Sequence, residues 1–162
     1  MPRDEAVSDT SPLMNLALTS RLHLLEEQFS RLFVPDQVMN ELRQGEEGVG
    51  PVKTQVEDGF IDTVQVEEDD LFRELRRELD SGEAATIRYA VREGIETVLI
   101  DEKEGRDAAR RHDLNPVGVI GILMRAYESS DRFQEAMDEL RGEGFWISDD
   151  LYRDVLDRHR RL

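Results

Sequence analysis

The 162-residue chain carries 37 acidic against 21 basic residues, a formal net charge of −16, and no cysteine. That length suits one domain, able to bury roughly two-thirds of its unfolded surface without staples, and the absent cysteines exclude a disulfide framework, a thiolate nucleophile and a Cys-ligated zinc site. The longest apolar run, residues 117–124, is far short of the about 20 residues a membrane span needs, and the opening Met1-Pro2-Arg3-Asp4-Glu5 lacks the basic and apolar regions of a signal peptide. The expectation is one soluble cytoplasmic domain over residues 1–162.

In chain order, residues 6–8 suggest a short strand, and residues 13–29 carry helical apolar spacing broken near Thr19-Ser20. Residues 31–34 read as a strand. Pro35 suits the first turn of a helix running to Arg43. Residues 44–51, rich in Gly and ending in Pro, form the clearest loop. A short helix over 52–58, an alternating strand over 61–66 and a helix over 71–79 follow. Asp80 then starts a new helix, with Glu83 at capping-box spacing. Residues 97–100 form an apolar strand, 103–111 a helix, and 115–117 a strand. Helices over 118–127, 133–140 and 149–158 complete the chain. Strands alternating with helices of this length indicate an α/β fold with a parallel sheet.

Charged residues make up 36% of the chain, against about 25% in ordinary globular domains. Lys53 and Lys103 are the only lysines; the other basic residues are arginines. Acidity with little lysine fits a halophilic protein, in which net charge maintains solubility and salt screens self-repulsion. In that setting an acidic balance reflects the solvent and does not exclude a nucleic-acid partner.

Two acids follow strands directly: Asp9 after the first, Asp101 after Val98-Leu99-Ile100. Strands of a parallel sheet end on one edge, where ligand sites of open α/β sheets lie, so these acids are expected near each other. Glu102 adjoins Asp101 and could share its role. Glu83 occupies the first turn of its helix, where the dipole and free N–H groups favour a carboxylate. Glu41 borders the apolar stripe of Val38, Met39 and Leu42, which by itself reads as a solvated helix flank. Gathered carboxylates raise each other's pKa unless a cation neutralises them. Oxygen-only ligands suit Mg²⁺ or Mn²⁺, and such metals serve phosphodiester hydrolysis by binding phosphate, acidifying a water and stabilising the leaving oxygen.

The motifs in order resemble the PIN-domain family. Val7-Ser8-Asp9-Thr10-Ser11-Pro12-Leu13-Met14-Asn15-Leu16 is similar to its opening, and Val34-Pro35-Asp36-Gln37-Val38-Met39-Asn40-Glu41-Leu42 to its second acidic motif. Leu79-Asp80-Ser81-Gly82-Glu83-Ala84 resembles the third, and Val98-Leu99-Ile100-Asp101-Glu102-Lys103-Glu104-Gly105-Arg106 the fourth. Gly118-Val119-Ile120-Gly121-Ile122-Leu123 and the 144–152 tail are similar to segments of a prokaryotic, toxin-nuclease-like (VapC-like) branch. The resemblance implies a PIN-like fold, a parallel sheet sandwiched between helices. It implies Mg²⁺- or Mn²⁺-dependent cleavage of single-stranded RNA by an acidic cluster of Asp9, Glu41, Glu83 and Asp101. Thr10 or Ser11 would bond the first carboxylate or the phosphate, and Asn15 would orient a carboxylate or a water. Toxin-like members imply an antitoxin protein as partner.

Other features have plainer readings. His23, His112 and His159 are scattered and read as surface or helix-end residues. Gly45, Gly48 and Gly50 precede no Lys-Ser/Thr and form no phosphate loop. Phe145 and Trp146 read as core or interface anchors; with the 117–124 stretch they make a homodimer conceivable. Arg106, Arg110 and Arg111 share a helix beginning beside Asp101 and could form a positive rim for RNA. The alternative to a nuclease is a catalytically weak binding module on the same fold that docks a protein partner. A phosphoryl-transfer site with Asp9 as nucleophile would want an acid at the position of Ser11.

Overall fold

A computed structural model describes residues 4–45 and 47–162; Met1-Pro2-Arg3 of the opening and Glu46 of the 44–51 segment lie outside the described residues. The elements are β1 (Glu5–Ser8), α1 (Thr10–Leu18), α2 (Leu24–Gln28), β2 (Arg31–Pro35), α3 (Asp36–Gly45), α4 (Val49–Glu57), β3 (Ile61–Val64), α5 (Asp70–Leu75), α6 (Ser81–Glu93), β4 (Thr97–Leu99), α7 (Lys103–Arg111), β5 (Asn115–Val117), α8 (Val119–Ala126), α9 (Ser130–Gly142) and α10 (Asp149–Arg160). The strands form one five-stranded sheet in the order β3-β2-β1-β4-β5, parallel at every pairing. The fold is the α/β architecture with a parallel sheet expected from the alternating pattern, and it agrees with the PIN-like fold that the motif resemblance implies.

Strand alternation sends successive side chains to opposite faces, and each face has its own core. Ala6 and Leu99 join Leu13, Leu16, Val38, Leu123, Phe133 and Val155 on one side. Val7, Val98 and Ile100 join Phe72, Leu75, Ile87 and Ala108 on the other. Helix α6 is fixed by a full capping box, Asp80 accepting from the Glu83 N–H and Glu83 reaching back to the Asp80 N–H. Its end is set by Gly94 at φ 69°, the left-handed conformation glycine adopts without strain.

The sequence expectations need four corrections. Pro35 closes β2, paired with Val64 beyond the last β1 partner at Phe33, and α3 begins one residue later, at Asp36. The 44–51 segment is mostly helical: α3 runs to Gly45 and α4 begins at Val49, with Pro51 in a first turn where no intrahelical N–H is needed. His159 is at a helix end, in the last turn of α10, but it is not at the surface: it is buried, stacked on Phe133 at 4.2 Å between ring centroids. Trp146 is not core: it is 83% exposed. Among the described residues, no helix is long and apolar enough to cross a membrane.

Candidate metal centre

The strand order reverses between β1 and β4, the switch point at which open α/β sheets place ligand crevices. Ser8 pairs with Leu99 in register, and the Asp9 N–H donates to the Leu99 carbonyl at 3.0 Å. Asp9 and Asp101 therefore leave adjacent strands on one edge, as their positions after the strands anticipated. Glu41 arrives from α3. Asp80 and Glu83 arrive together at the head of α6.

That helix head gathers the acids. Its first N–H groups have no intrahelical acceptor, and three carboxylates supply acceptors. The Glu41 Oε1 accepts from the Gly82 N–H at 3.1 Å, the Asp80 Oδ1 from the Glu83 N–H at 2.8 Å, and the Glu83 Oε1 from the Asp80 N–H at 3.2 Å. Glu41 also accepts from the Thr10 hydroxyl at 2.7 Å. Asp9, Glu41 and Asp80 each present an oxygen within 4.8 Å of the others.

Two oxygens in this group have no donor: Asp9 Oδ1 and Glu83 Oε2 are buried without a hydrogen bond. Burial, with the charges of Asp80, Glu83 and Glu41, pushes the Asp9 carboxyl well above its ordinary range. Burial and the Asp80 charge push Glu83 up to about 7. Buried acceptors without partners are rare and costly. Here they lie among like charges, which a divalent cation would relieve, and an all-oxygen donor set is the kind that hard cations prefer. The glycines beside these carboxylates are a further fit. A Cβ on Gly82 would stand 2.7 Å from Asp9 Oδ1 and 2.9 Å from Glu41 Oε1, and one on Gly105 would stand 2.5 Å from Glu83 Oε2. The residues present can therefore hold a divalent metal.

Asp101 is arranged differently. Its Oδ1 accepts from the Val119 N–H at 2.8 Å, and its Oδ2 from the Ser11 hydroxyl at 3.0 Å. Asn15 donates to the Ser11 oxygen at 3.1 Å. Arg106 donates to the Asp101 carbonyl. Burial raises the Asp101 carboxyl, and these hydrogen bonds with the Arg106 charge oppose the rise. Glu102, the N-cap position of α7, is exposed at the mouth of the cleft beside Asp101.

Of the four acids expected, Asp9 and Glu41 meet directly, with Glu83 beside them and Asp101 anchored separately. Asp80 is the member sequence reasoning missed, because its capping role already accounted for it. Thr10 and Ser11 reach Glu41 and Asp101 rather than Asp9, so the hydroxyls after the first motif tie the second and fourth motifs to it. Of the three arginines, Arg106 lines the cleft beside Asp101. Arg110 pairs with Asp107 at 3.4 Å, and Arg111 pairs with Glu78.

An acidic crevice at the switch point of a parallel sheet, suited to a divalent cation, defines the class: an α/β protein with a candidate hard-cation site. The family model described as a PIN domain matches residues 5–161, and the chain belongs to the PIN-domain family. No curated protein sequence matches the chain.

Proposed function

We propose that this protein is a divalent-metal-dependent endoribonuclease that hydrolyses RNA phosphodiester bonds, a toxin-like enzyme of the cytoplasm of a salt-adapted cell. The observation that carries the reading is the pair of buried, donorless carboxylate oxygens on Asp9 and Glu83 beside Glu41 and Asp80. Asp9, Glu41 and Asp80 would hold Mg²⁺ or Mn²⁺, with Glu83 and Asp101 completing the acidic surround. The cation, when bound, supplies neutralisation of the scissile phosphate and a lowered pKa for the attacking water.

The chain's own residues do the rest. The Gly82 and Glu83 N–H groups fix the Glu41 and Asp80 carboxylates before any ligand arrives, so little reorganisation is needed on binding. Without a cation, burial and the neighbouring carboxylates favour the protonated forms of Asp9 and Glu83, so cation binding there would be coupled to proton release. Ser11 and the Val119 N–H hold Asp101 in place, with Glu102 beside it as a second carboxylate at the crevice mouth. Asn15 orients the Ser11 hydroxyl. Arg106, with Arg110 and Arg111 further along α7, offers positive charge to the RNA backbone. A small antitoxin-like protein is the partner that would restrain such an enzyme.

The deciding experiment is RNA cleavage in molar KCl with Mn²⁺, Mg²⁺ or EDTA, comparing wild type with Asp9→Asn. Cleavage that requires metal and is lost in the variant is expected. No cleavage by folded wild-type protein would favour the alternative, a binding module that docks a protein partner.

A further inference from the structure

A cleft of about 480 Å³ opens beside Asp101. It lies on the Asp101 side of the acidic crevice, lined by Ser11, Asn15 and Asp101; Ser11 follows Thr10, whose hydroxyl bonds Glu41 of the candidate centre. Its mouth is bordered by Trp146 and Leu151, two of the three exposed large hydrophobics among the described residues. Trp146 is held outward by its neighbours. The segment between α9 and α10 turns at Gly144, φ 97°. Phe145 then packs against the core, and Ile147 is buried within it. With both chain neighbours drawn into the core, the intervening indole is left exposed at the rim of the cleft that all three residues line.

We infer that Trp146 is a stacking platform for an unpaired base of the substrate, seated in the cleft beside the scissile phosphate. This rests on the nuclease reading above and adds a binding subsite to it. An aromatic face recognises any base, without sequence readout. The cleft is apolar at Trp146 and Leu151 and polar at Asn15 and Arg106, which matches a base with a hydrophobic face and hydrogen-bonding edges. Both Asp101 oxygens are already satisfied within the protein, and Lys103 and Arg106 line the cleft beside Glu102, so positive charge is at hand for the phosphate of a nucleotide whose base is stacked there. A base held in a duplex has its faces already stacked, so the platform selects single-stranded RNA.

The chain contains a single tryptophan, so its fluorescence reports this position alone. Asp9→Asn protein, expected not to cleave, is titrated with a uridine oligoribonucleotide, its blunt duplex and an abasic oligomer of equal length. Saturable quenching by the uridine strand, weak with the duplex and absent with the abasic oligomer, is expected. In wild type, Trp146→Ala should raise KM about tenfold or more while leaving kcat nearly unchanged, given the usual strength of base–aromatic stacking, and Trp146→Phe should recover most of the loss. Equal quenching by all three oligomers, or an unchanged KM in Trp146→Ala, overturns the platform. Fluorescence that depends on protein concentration and ignores RNA overturns it in favour of a second copy of the chain in the cleft. Metal-dependent cleavage that is indifferent to Trp146→Ala refutes the platform and keeps the nuclease; base-dependent quenching without cleavage by wild type does the reverse.

Discussion

The two sides of the crevice hold carboxylates of the same kind in opposite conditions. Around Asp9, four acids crowd the head of α6, and two buried oxygens have no donor. Across from them, both Asp101 oxygens accept hydrogen bonds, from Val119 and Ser11. One side is electrostatically unfinished, and the other is complete. The difference teaches that an acidic cluster is not uniform: its donorless members mark where positive charge is wanted, and its satisfied member serves as a fixed wall.

The largest effect should come from filling the space that the unfinished side keeps open. Gly105→Ala ordinarily gains helix stability, since alanine is favoured over glycine by about 1 kcal/mol. Here the new methyl would meet Glu83 Oε2 and, at 2.7 Å, the Ile100 Cγ2. The sign should reverse, with a loss of roughly 1–3 kcal/mol from overpacking and loss of metal-dependent cleavage; denaturant unfolding and the cleavage assay check the two parts. Gly82→Ala meets only carboxylates, so metal affinity measured by calorimetry should collapse with a smaller change in stability.

Next is the pH dependence of the metal-free protein. Glu83 is raised from 4.5 to about 7 in the folded state, and Asp9 is raised in the same direction. Through Glu83 the folded protein binds more protons than the unfolded chain in that interval, so this contribution to stability is fully present below about 4.5 and is lost as pH rises through about 7. The melting temperature should decline across that window, by roughly 2–4 °C per kcal/mol for a chain of this size. Asp9→Asn, which replaces a titrating carboxyl in the crowd with a group that cannot ionise, should flatten the decline while abolishing cleavage. A metal-free protein equally stable across this range would erase the contrast between the two sides.

A smaller effect tests the complete side. Ser11→Ala removes one donor from Asp101, for a loss of roughly 0.5–1.5 kcal/mol with a retained, weakened cleavage rate. The smallest is Arg110→Gln. Its exposed pair with Asp107 should contribute at most about 1 kcal/mol, leaving the melting temperature nearly unchanged.

The order of strands and helices was legible because alternation of period two and apolar spacing near 3.6 were both strong, and α7 and β5 match the expected bounds. Asp9 and Asp101 were legible for the same reason: a residue immediately after a parallel strand has its edge fixed by topology. Glu41 was not, since its stripe position fits a solvated flank equally well, and only the family resemblance singled it out. Asp80 was hidden by sufficiency. A capping aspartate needs no second explanation, yet the geometry that caps α6 also brings its carboxylate to Asp9 and Glu41. Trp146 and His159 were each half legible: Trp146 reads as a core or interface anchor and is not core, since its two neighbours take the buried places, while His159 reads as a surface or helix-end residue and ends α10 with its ring buried against Phe133.

Because β1 contributes Ala6 to one core and Val7 to the other, the carboxylate at its end sits on the element whose release requires both to come apart. Local fraying cannot free Asp9 while the sheet stands. Occupancy of the crevice is then linked to global unfolding, and each tenfold increase of cation above its dissociation constant should add about 1.4 kcal/mol to stability. A thermal titration with Mn²⁺ would thereby weigh the ion against the whole fold, giving an affinity before any substrate has been identified.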